Sequence, residues 1–321
     1  MKNIDLNFFP GWTRKSITFT MDDGWVAMDT VFVDIVRPYG IKGAFNISSQ
    51  NITKYNNPEL IRSLYRGFEI TNHVRLHPFA FRDGDEAVLS DEFFNESNAD
   101  KSVCYREAGS PEGVYLRYSE RNDRWDRVCT ARGYITLVEE CHKELEDIFG
   151  KGSVRGFVWP YYRQSNSELT EYLKTKYYGL RDAGKNEPME DAAFSLPSDR
   201  SDWHYNARHS NLLARAAEYE ALADDGNLKW FAFGVHAHDF DHSGNWDDLR
   251  EFCRKYGNRH EDFWYATNAE IFDYEDAVKS VIITDTAIKN PSDVTLYIKV
   301  DGTRFTLCPG CEIRIGTEVN G

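Results

Sequence analysis

Ser16-Ile17-Thr18-Phe19-Thr20-Met21-Asp22-Asp23-Gly24 is a β-rich run that ends in two adjacent carboxylates and a glycine. Its branched and aromatic residues read as a strand. An amphipathic stretch from Val26 to Tyr39 follows, and Gly40 ends it. Ile41 to Ile47 reads as a second strand, Pro58 to Gly67 as a helix, and Phe68-Glu69-Ile70 as a short third strand. The chain up to Ile70 thus alternates β, α, β, α, β, which argues for parallel strands joined by helical crossovers. Such folds carry active groups at the C-terminal ends of their strands, where Asp22 and Asp23 fall. The same pair also suits a helix N-cap, where Asp is common.

Residues 78–132 break this rhythm. They are polar and charged, and they read as a long irregular excursion with room for hairpins. The rhythm resumes at Tyr134, where Leu137, Val138, Cys141, Leu145 and Ile148 form a helical stripe. Arg155 to Trp159 is a strand running into Pro160-Tyr161-Tyr162. Ser167 to Lys176 is a helix, and Tyr177 to Arg181 a strand. Asn211 to Leu222 is helical, and Lys229 to Val235 is a buried-type strand leading into His236. Trp246 to Tyr256 and Ala269 to Val278 are helices. From Val281 the texture changes to short strands, with Asp301-Gly302 as a hairpin signal. The expected division is a large unit over 1–280, with the 78–132 excursion near its site, and a small β module over 281–321.

The 321 residues, 41% hydrophobic and 28% charged, suffice for one large catalytic domain. With 38 Lys+Arg against 52 Asp+Glu the net charge is −14, which disfavours nucleic acid and anionic membranes as partners. No run approaches the roughly 20 apolar residues of a membrane span. Met1 to Pro10 lacks a signal pattern, so a cytoplasmic location is expected unless a leader has been removed. The six cysteines do not read as a disulfide framework. Cys308-Pro-Gly-Cys311 has the spacing of half a zinc ribbon but no second pair nearby, so it reads as a turn carrying two thiols. Nothing in the sequence speaks to oligomeric state.

Chemistry-bearing residues recur near strand ends. His73-Val-Arg-Leu-His77 places two imidazoles four apart, on one face if the turn is helical, close enough to share a metal. Two His and one carboxylate make a metal set with positions left open for water and substrate. His236-Ala-His238-Asp239 follows the apolar run Trp230 to Val235, and strand alternation would put both imidazoles on one side. Asp199-Arg-Ser-Asp202-Trp203 and Trp159-Pro160-Tyr161 each read alone as loop punctuation.

Taken in order, TMDDG, NHxxxHP, a strand ending in PY, DxxDW and a strand ending in His resemble the polysaccharide deacetylase family (carbohydrate esterase family 4, NodB-like domain). That family carries TFDDG, H[ST]xxH, RxPY, DxxDW and LxH in the same order, and the resemblance spans about residues 16 to 280. It implies an α/β fold, a distorted (β/α)7 barrel. It also implies one divalent metal ion, Zn2+ or alternatively Co2+, Ni2+ or Mn2+, held by Asp23, His73 and His77. Asp22 becomes the general base. His236, with His238 as its rival, becomes the general acid. The Tyr161 backbone N–H, next to Pro160 and Trp159, helps hold the oxyanion, while Trp203, beside Asp202, walls the acetyl methyl. The implied partner is an acetylated saccharide.

The chain departs from the pattern in two places. Val74 replaces the Ser or Thr after the first His, and Val158 stands where the third motif has Arg. The family uses that Arg to orient the base, and Arg181 is the candidate replacement. Two other readings remain: a metal amidohydrolase acting on a non-sugar amide, and a carbohydrate-binding protein with a decayed site.

Overall fold

The computed structural model describes residues 2–161, 166–182, 194–234 and 236–315. Tyr162, Val235 and 316–321 of the expected C-terminal module lie outside the described residues.

Eight parallel strands form the central sheet: β1 (Lys15–Asp23), β2 (Gly43–Ile47), β3 (Glu69–Asn72), β4 (Val154–Val158), β5 (Leu180–Arg181), β6 (Ala207–Arg208), β7 (Lys229–Gly234) and β8 (Phe263–Tyr265). Seven follow one path, β5-β4-β3-β2-β1-β7-β6, and β8 pairs with the start of β1. The ends of the path approach each other through residues 200–203. Leu180 N–H donates to Arg200 O, Asp182 N–H donates to Trp203 O, and Arg181 bridges Trp203 in parallel register. The result is a distorted (β/α) barrel, sealed at that seam by a strip of loop.

Alternation along β1 explains why the barrel has two unlike faces. Ile17, Phe19 and Met21 point to the helix-covered core, whereas Ser16, Thr18, Thr20 and Asp22 line the other face. The helix Val26–Val36 packs on the first face through Val26, Phe32, Val33 and Val36, at helical spacing. The helix Ala131–Phe149 buries the predicted stripe Leu137, Val138, Cys141, Leu145 and Ile148. Its N-cap is Thr130, whose hydroxyl accepts the Gly133 N–H. The helix Asn268–Lys279 opens on a capping box between Thr267 and Glu270, and its Ile271 and Phe272 join Trp230 in a second cluster.

Residues 78–132 are not irregular. Phe79–Ala80, Val88–Phe93, Val103–Arg106, Val114–Ser119 and Arg124–Cys129 form a five-stranded sheet. Its polar content misled because one face is solvated, so half of each strand can be charged. The hairpin expected at Asp301-Gly302 joins Leu296–Val300 to Thr303–Leu307, with φ of 49° and 80° at the two turn residues. A strand that the sequence did not betray, Ile4–Phe8, pairs antiparallel with Leu296–Val300. Residues from both expected units therefore share one sheet.

Asp29 is fully buried on the helix Val26–Val36 and accepts a hydrogen bond from the Tyr65 hydroxyl at 2.6 Å. Burial pushes its carboxyl up to about 8. The folded protein thus holds a proton there that the unfolded chain releases near pH 4, so stability falls as pH rises from about 4 to about 8. Asp29→Asn should flatten the dependence of unfolding free energy on pH over that window, by up to about 1.4 kcal/mol per pH unit. Chemical denaturation at pH 5, 6, 7 and 8 measures this, and equal slopes for the two proteins would assign the effect elsewhere.

Candidate active site

The site is built at the C-terminal ends of β1 and β3, with β4, β5 and the segment after β7 around it. β1 ends at Asp22 and Asp23, paired with Asn46 and Ile47 of β2. Asp23 has a φ of 77°, and Gly24 follows at 75° with no room for a Cβ against Ile47. After β3 the chain does not form the helical turn expected for His73 and His77. Val74, Leu76 and His77 all have positive φ instead. Side chains hold this loop: Asn72 Oδ1 accepts Val74 N–H, and Gln50 Oε1 accepts Leu76 N–H, both at 2.8 Å. Tyr161 also has a positive φ, 62°. Such strain in non-glycine residues persists only where surrounding contacts enforce it, and it clusters at functional sites.

The loop brings three acceptor atoms together. His73 Nδ1 lies 3.0 Å from Val158 O, and a carbonyl can only accept, so this nitrogen carries the proton. In the neutral ring Nε2 is then a lone pair, aimed at His77 Nε2 at 3.1 Å and Asp23 Oδ1 at 3.4 Å. His77 Nε2 also lies 3.4 Å from Asp23 Oδ1, a buried oxygen with no hydrogen-bond donor among the described residues. With the His77 proton on Nδ1, its Nε2 is a third acceptor, and three convergent acceptors suit a cation. A tetrahedral zinc with ligands at about 2.0–2.1 Å holds its donor atoms about 3.3 Å apart, and the spacings here match, so the residues fit a metal. Trp25 Nε1–H donates to the other Asp23 oxygen, Oδ2, at 3.0 Å. Outer partners of this kind fix ligand orientation.

Burial raises the Asp23 carboxyl, but the imidazoles of His73, His236 and His77 gathered around it outweigh that and hold it well below the usual carboxylate range. Burial and the neighbouring His73 bring His77 down to about 4, so its ring is neutral near pH 7.

Asp22 is buried on the inner face. Its Oδ1 accepts hydrogen bonds from Arg181 Nη2 and from Asn46 Nδ2, the latter at 2.6 Å. Arg181 is fully buried and pairs in register with Val158, so its guanidinium enters from the strand next to the position where the motif Arg is missing. Asn46 also donates to Thr20 Oγ1 at 2.8 Å, and Thr71 Oγ1 donates to Asn46 Oδ1. No motif pointed to Asn46 or Thr71. The available signal was Asn46 as the one polar side chain of the otherwise apolar strand Gly43–Ile47; Thr71, on the polar strand Glu69–Asn72, carried none.

His236 does not sit on a strand end with His238. The strand stops at Gly234, and His238 lies in the helix Ala237–His242. The two rings stack, with centroids 4.6 Å apart. His236 Nε2 lies 3.8 Å from Asp23 Oδ2, and its Nδ1–H donates to Asp239 Oδ2 at 3.0 Å. The His–Asp hydrogen bond therefore belongs to His236, whereas His238 Nε2 stays 3.8 Å from Asp239 Oδ1. Burial lowers His236, but Asp239, Asp23 and Asp22 prevail and push it up to about 9. Burial beside His236 lowers His238.

Two residues expected to meet substrate are buried. Trp159 is fully buried and packs on Phe157 and Tyr134. Trp203 is 4% exposed, and its ring packs on Trp230 and Phe272. Both are large apolar residues on strand-like segments, where core packing claims them. Pro160 is buried as well. Asp202 is exposed, 3.8 Å from His204. Tyr161 stays at the site. Its ring stacks on Phe79 at 3.8 Å and meets the edge of His77 at 4.5 Å. No acceptor takes its backbone N–H among the described residues. Arg127 of the five-stranded sheet donates to Leu76 O at 2.6 Å, tying that sheet to the histidine loop.

A family model for polysaccharide deacetylases matches residues 11–180, more than half of the chain. The chain belongs to the polysaccharide deacetylase family, and it is by class a hydrolase of acetyl amide or ester bonds. Among solved structures, a candidate polysaccharide deacetylase from Mycobacterium smegmatis shares its fold. The TM-score is 0.52 at 14% identity, over 86% of this chain and 94% of that one. Also similar are the CE4 domain of a multidomain xylanase from the hindgut metagenome of Trinervitermes trinervoides (TM-score 0.44, 15% identity, 82% and 92% covered) and a CE4 esterase from Streptococcus mutans (0.43, 16%, 79% and 86%). No curated protein sequence matches the chain. No helix among the described residues is long and apolar enough to cross a membrane.

Proposed function

We propose that the chain removes acetyl groups from an acetylated saccharide, using one divalent ion held by Asp23, His73 and His77. The observation that carries this reading is the convergence of three acceptor atoms beside a buried carboxylate on one side and an imidazole on the other. Two nitrogens and a carboxylate oxygen favour zinc, which would polarise the acetyl carbonyl and lower the pKa of a water to about 7.

The chain's own groups do the rest. Asp22 takes a proton from the attacking water at Oδ2, the oxygen that neither Arg181 nor Asn46 occupies. Arg181 and Asn46 hold the carboxylate in place. The Tyr161 N–H donates to the acetyl oxygen as negative charge develops there. His236 carries a proton to the leaving nitrogen or oxygen, with Asp239 fixing its ring. Trp25, an exposed aromatic ring pinned to Asp23, offers a sugar a stacking surface at the mouth. Acetate release by the zinc-loaded protein tests the reading on N- and O-acetylated oligosaccharides, with an N-acetyl amino acid alongside. Release only from the amino acid favours the non-sugar amidohydrolase. Saccharide binding without release favours a decayed site.

Arg181→Ala should cut turnover roughly tenfold to a hundredfold, less than loss of the base itself, with metal content unchanged by elemental analysis. Undiminished turnover would remove Arg181 from the mechanism. His236→Ala should lower kcat by about 10²–10⁴ with a smaller change in KM. If His238→Ala is the more damaging change, the acid is His238.

A further inference from the structure

Beyond the Asp23–His73–His77 group, a second set of ligating side chains converges on the same mouth. His236, His238 and Asp239 each offer one ligand atom, all within 4.8 Å of one another. One carboxylate spans both imidazoles, with Asp239 Oδ2 3.0 Å from His236 Nδ1 and Oδ1 3.8 Å from His238 Nε2. The two rings stack with their planes 19° apart. No hydrogen bond engages either His238 nitrogen among the described residues. One helical turn on, the His242 ring lies 5.3 Å from the His238 ring. All three side chains are half-buried, so an ion can enter from solvent. Two imidazoles and a carboxylate from one short stretch leave the remaining coordination positions open, a set that suits zinc and its neighbours.

We propose that His236, His238 and Asp239 form a second, weaker site for a divalent transition-metal ion, and that filling it stops catalysis. The inhibitory half rests on His236 being the general acid. An ion that takes the His236 Nδ1 lone pair displaces to solvent the proton that Nδ1 gives to Asp239 and holds the ring as a neutral Nε2–H imidazole, which no longer gives a proton to the leaving group. The second ion binds more weakly because a first ion near Asp23 repels it across a short gap, with Asp23 Oδ2 3.8 Å from His236 Nε2. The carboxylates of Asp22, Asp23 and Asp239 offset part of that repulsion. Excess zinc then acts as a brake on an enzyme that needs one zinc.

The test is a zinc titration of the metal-free protein carrying Cys308→Ser and Cys311→Ser, because both thiols are exposed and would take up zinc themselves. Calorimetry counts equivalents and affinities, and acetate release is followed in parallel. Two equivalents are expected, with the rate rising on the first and falling at least tenfold on the second. In the same background His238→Ala should lose the weaker equivalent and keep the tighter one. Its rate in excess zinc should then stay close to its own one-equivalent rate. His77→Ala should do the reverse, losing the tighter equivalent and keeping the weaker. A single equivalent in the parent protein overturns the second site, as does a weaker equivalent that survives His238→Ala. Two equivalents without a fall in rate overturn the brake. If the tighter equivalent is missing, the metal reading of Asp23, His73 and His77 fails, while uptake that depends on His238 still decides this site.

Discussion

Asp22→Asn lowers turnover by about 10²–10⁴, the range that loss of a positioned general base produces, and leaves metal content at one equivalent. The substitution keeps an oxygen where Oδ1 now accepts from Arg181 and Asn46, so the local packing is retained. What it removes is the basic oxygen. It also leaves the buried Arg181 guanidinium without a charged partner, and breaking a buried pair typically costs about 3–5 kcal/mol. Thermal unfolding must therefore be followed beside turnover. A variant that is folded at the assay temperature, holds its metal and still turns over normally would show that Asp22 is not the base.

His77→Ala abolishes metal binding at the Asp23 group and, with it, acetate release. His77 is the better probe of the two histidines. His73 is almost fully buried and tied through Nδ1 to Val158 O, so its truncation would also open a cavity beneath the loop. His77 is more exposed and has no such tether among the described residues. Losing a direct ligand should weaken binding beyond the roughly 10–100-fold that loss of an outer hydrogen-bond partner costs. Competition with a chromophoric chelator measures the affinity directly. Unaltered affinity in the variant would place the ion elsewhere and dissolve the mechanism as written.

Much of this site was legible because motifs at strand ends are short and local. Asp22 and Asp23 were marked by the strand before them and the glycine after. Arg181 was found as a basic residue at the end of a β-rich run, and it enters beside the position that lacks its expected Arg. The histidine loop was legible as residues but not as conformation. Its path depends on Asn72 and Gln50 accepting backbone N–H groups, contacts that no periodicity encodes. Trp159 and Trp203 were legible as motif neighbours but not as buried rings, because only the fold shows which face an aromatic beside a motif packs. Asn46 and Thr71 were passed over as strand residues because their partner, Asp22, lies on another strand. Residues 78–132 hid a sheet for want of a strong apolar alternation.

The pairing of Ile4–Phe8 with Leu296–Val300 has a bearing on how the protein is made. On a ribosome moving at about 5–20 residues per second, the first strand waits about 15–60 s for its partner to emerge. During that time its backbone hydrogen-bonding groups lack their partner strand, and Phe8, which ends almost fully buried, lacks that cover. The rest of the barrel can close meanwhile, because β7 and β8, the distant partners of β1, emerge before Leu296. Nascent chains arrested shortly before Val294 should therefore carry a protease-sensitive amino end on an otherwise protected body. Chains released past Arg314 should lose that sensitivity.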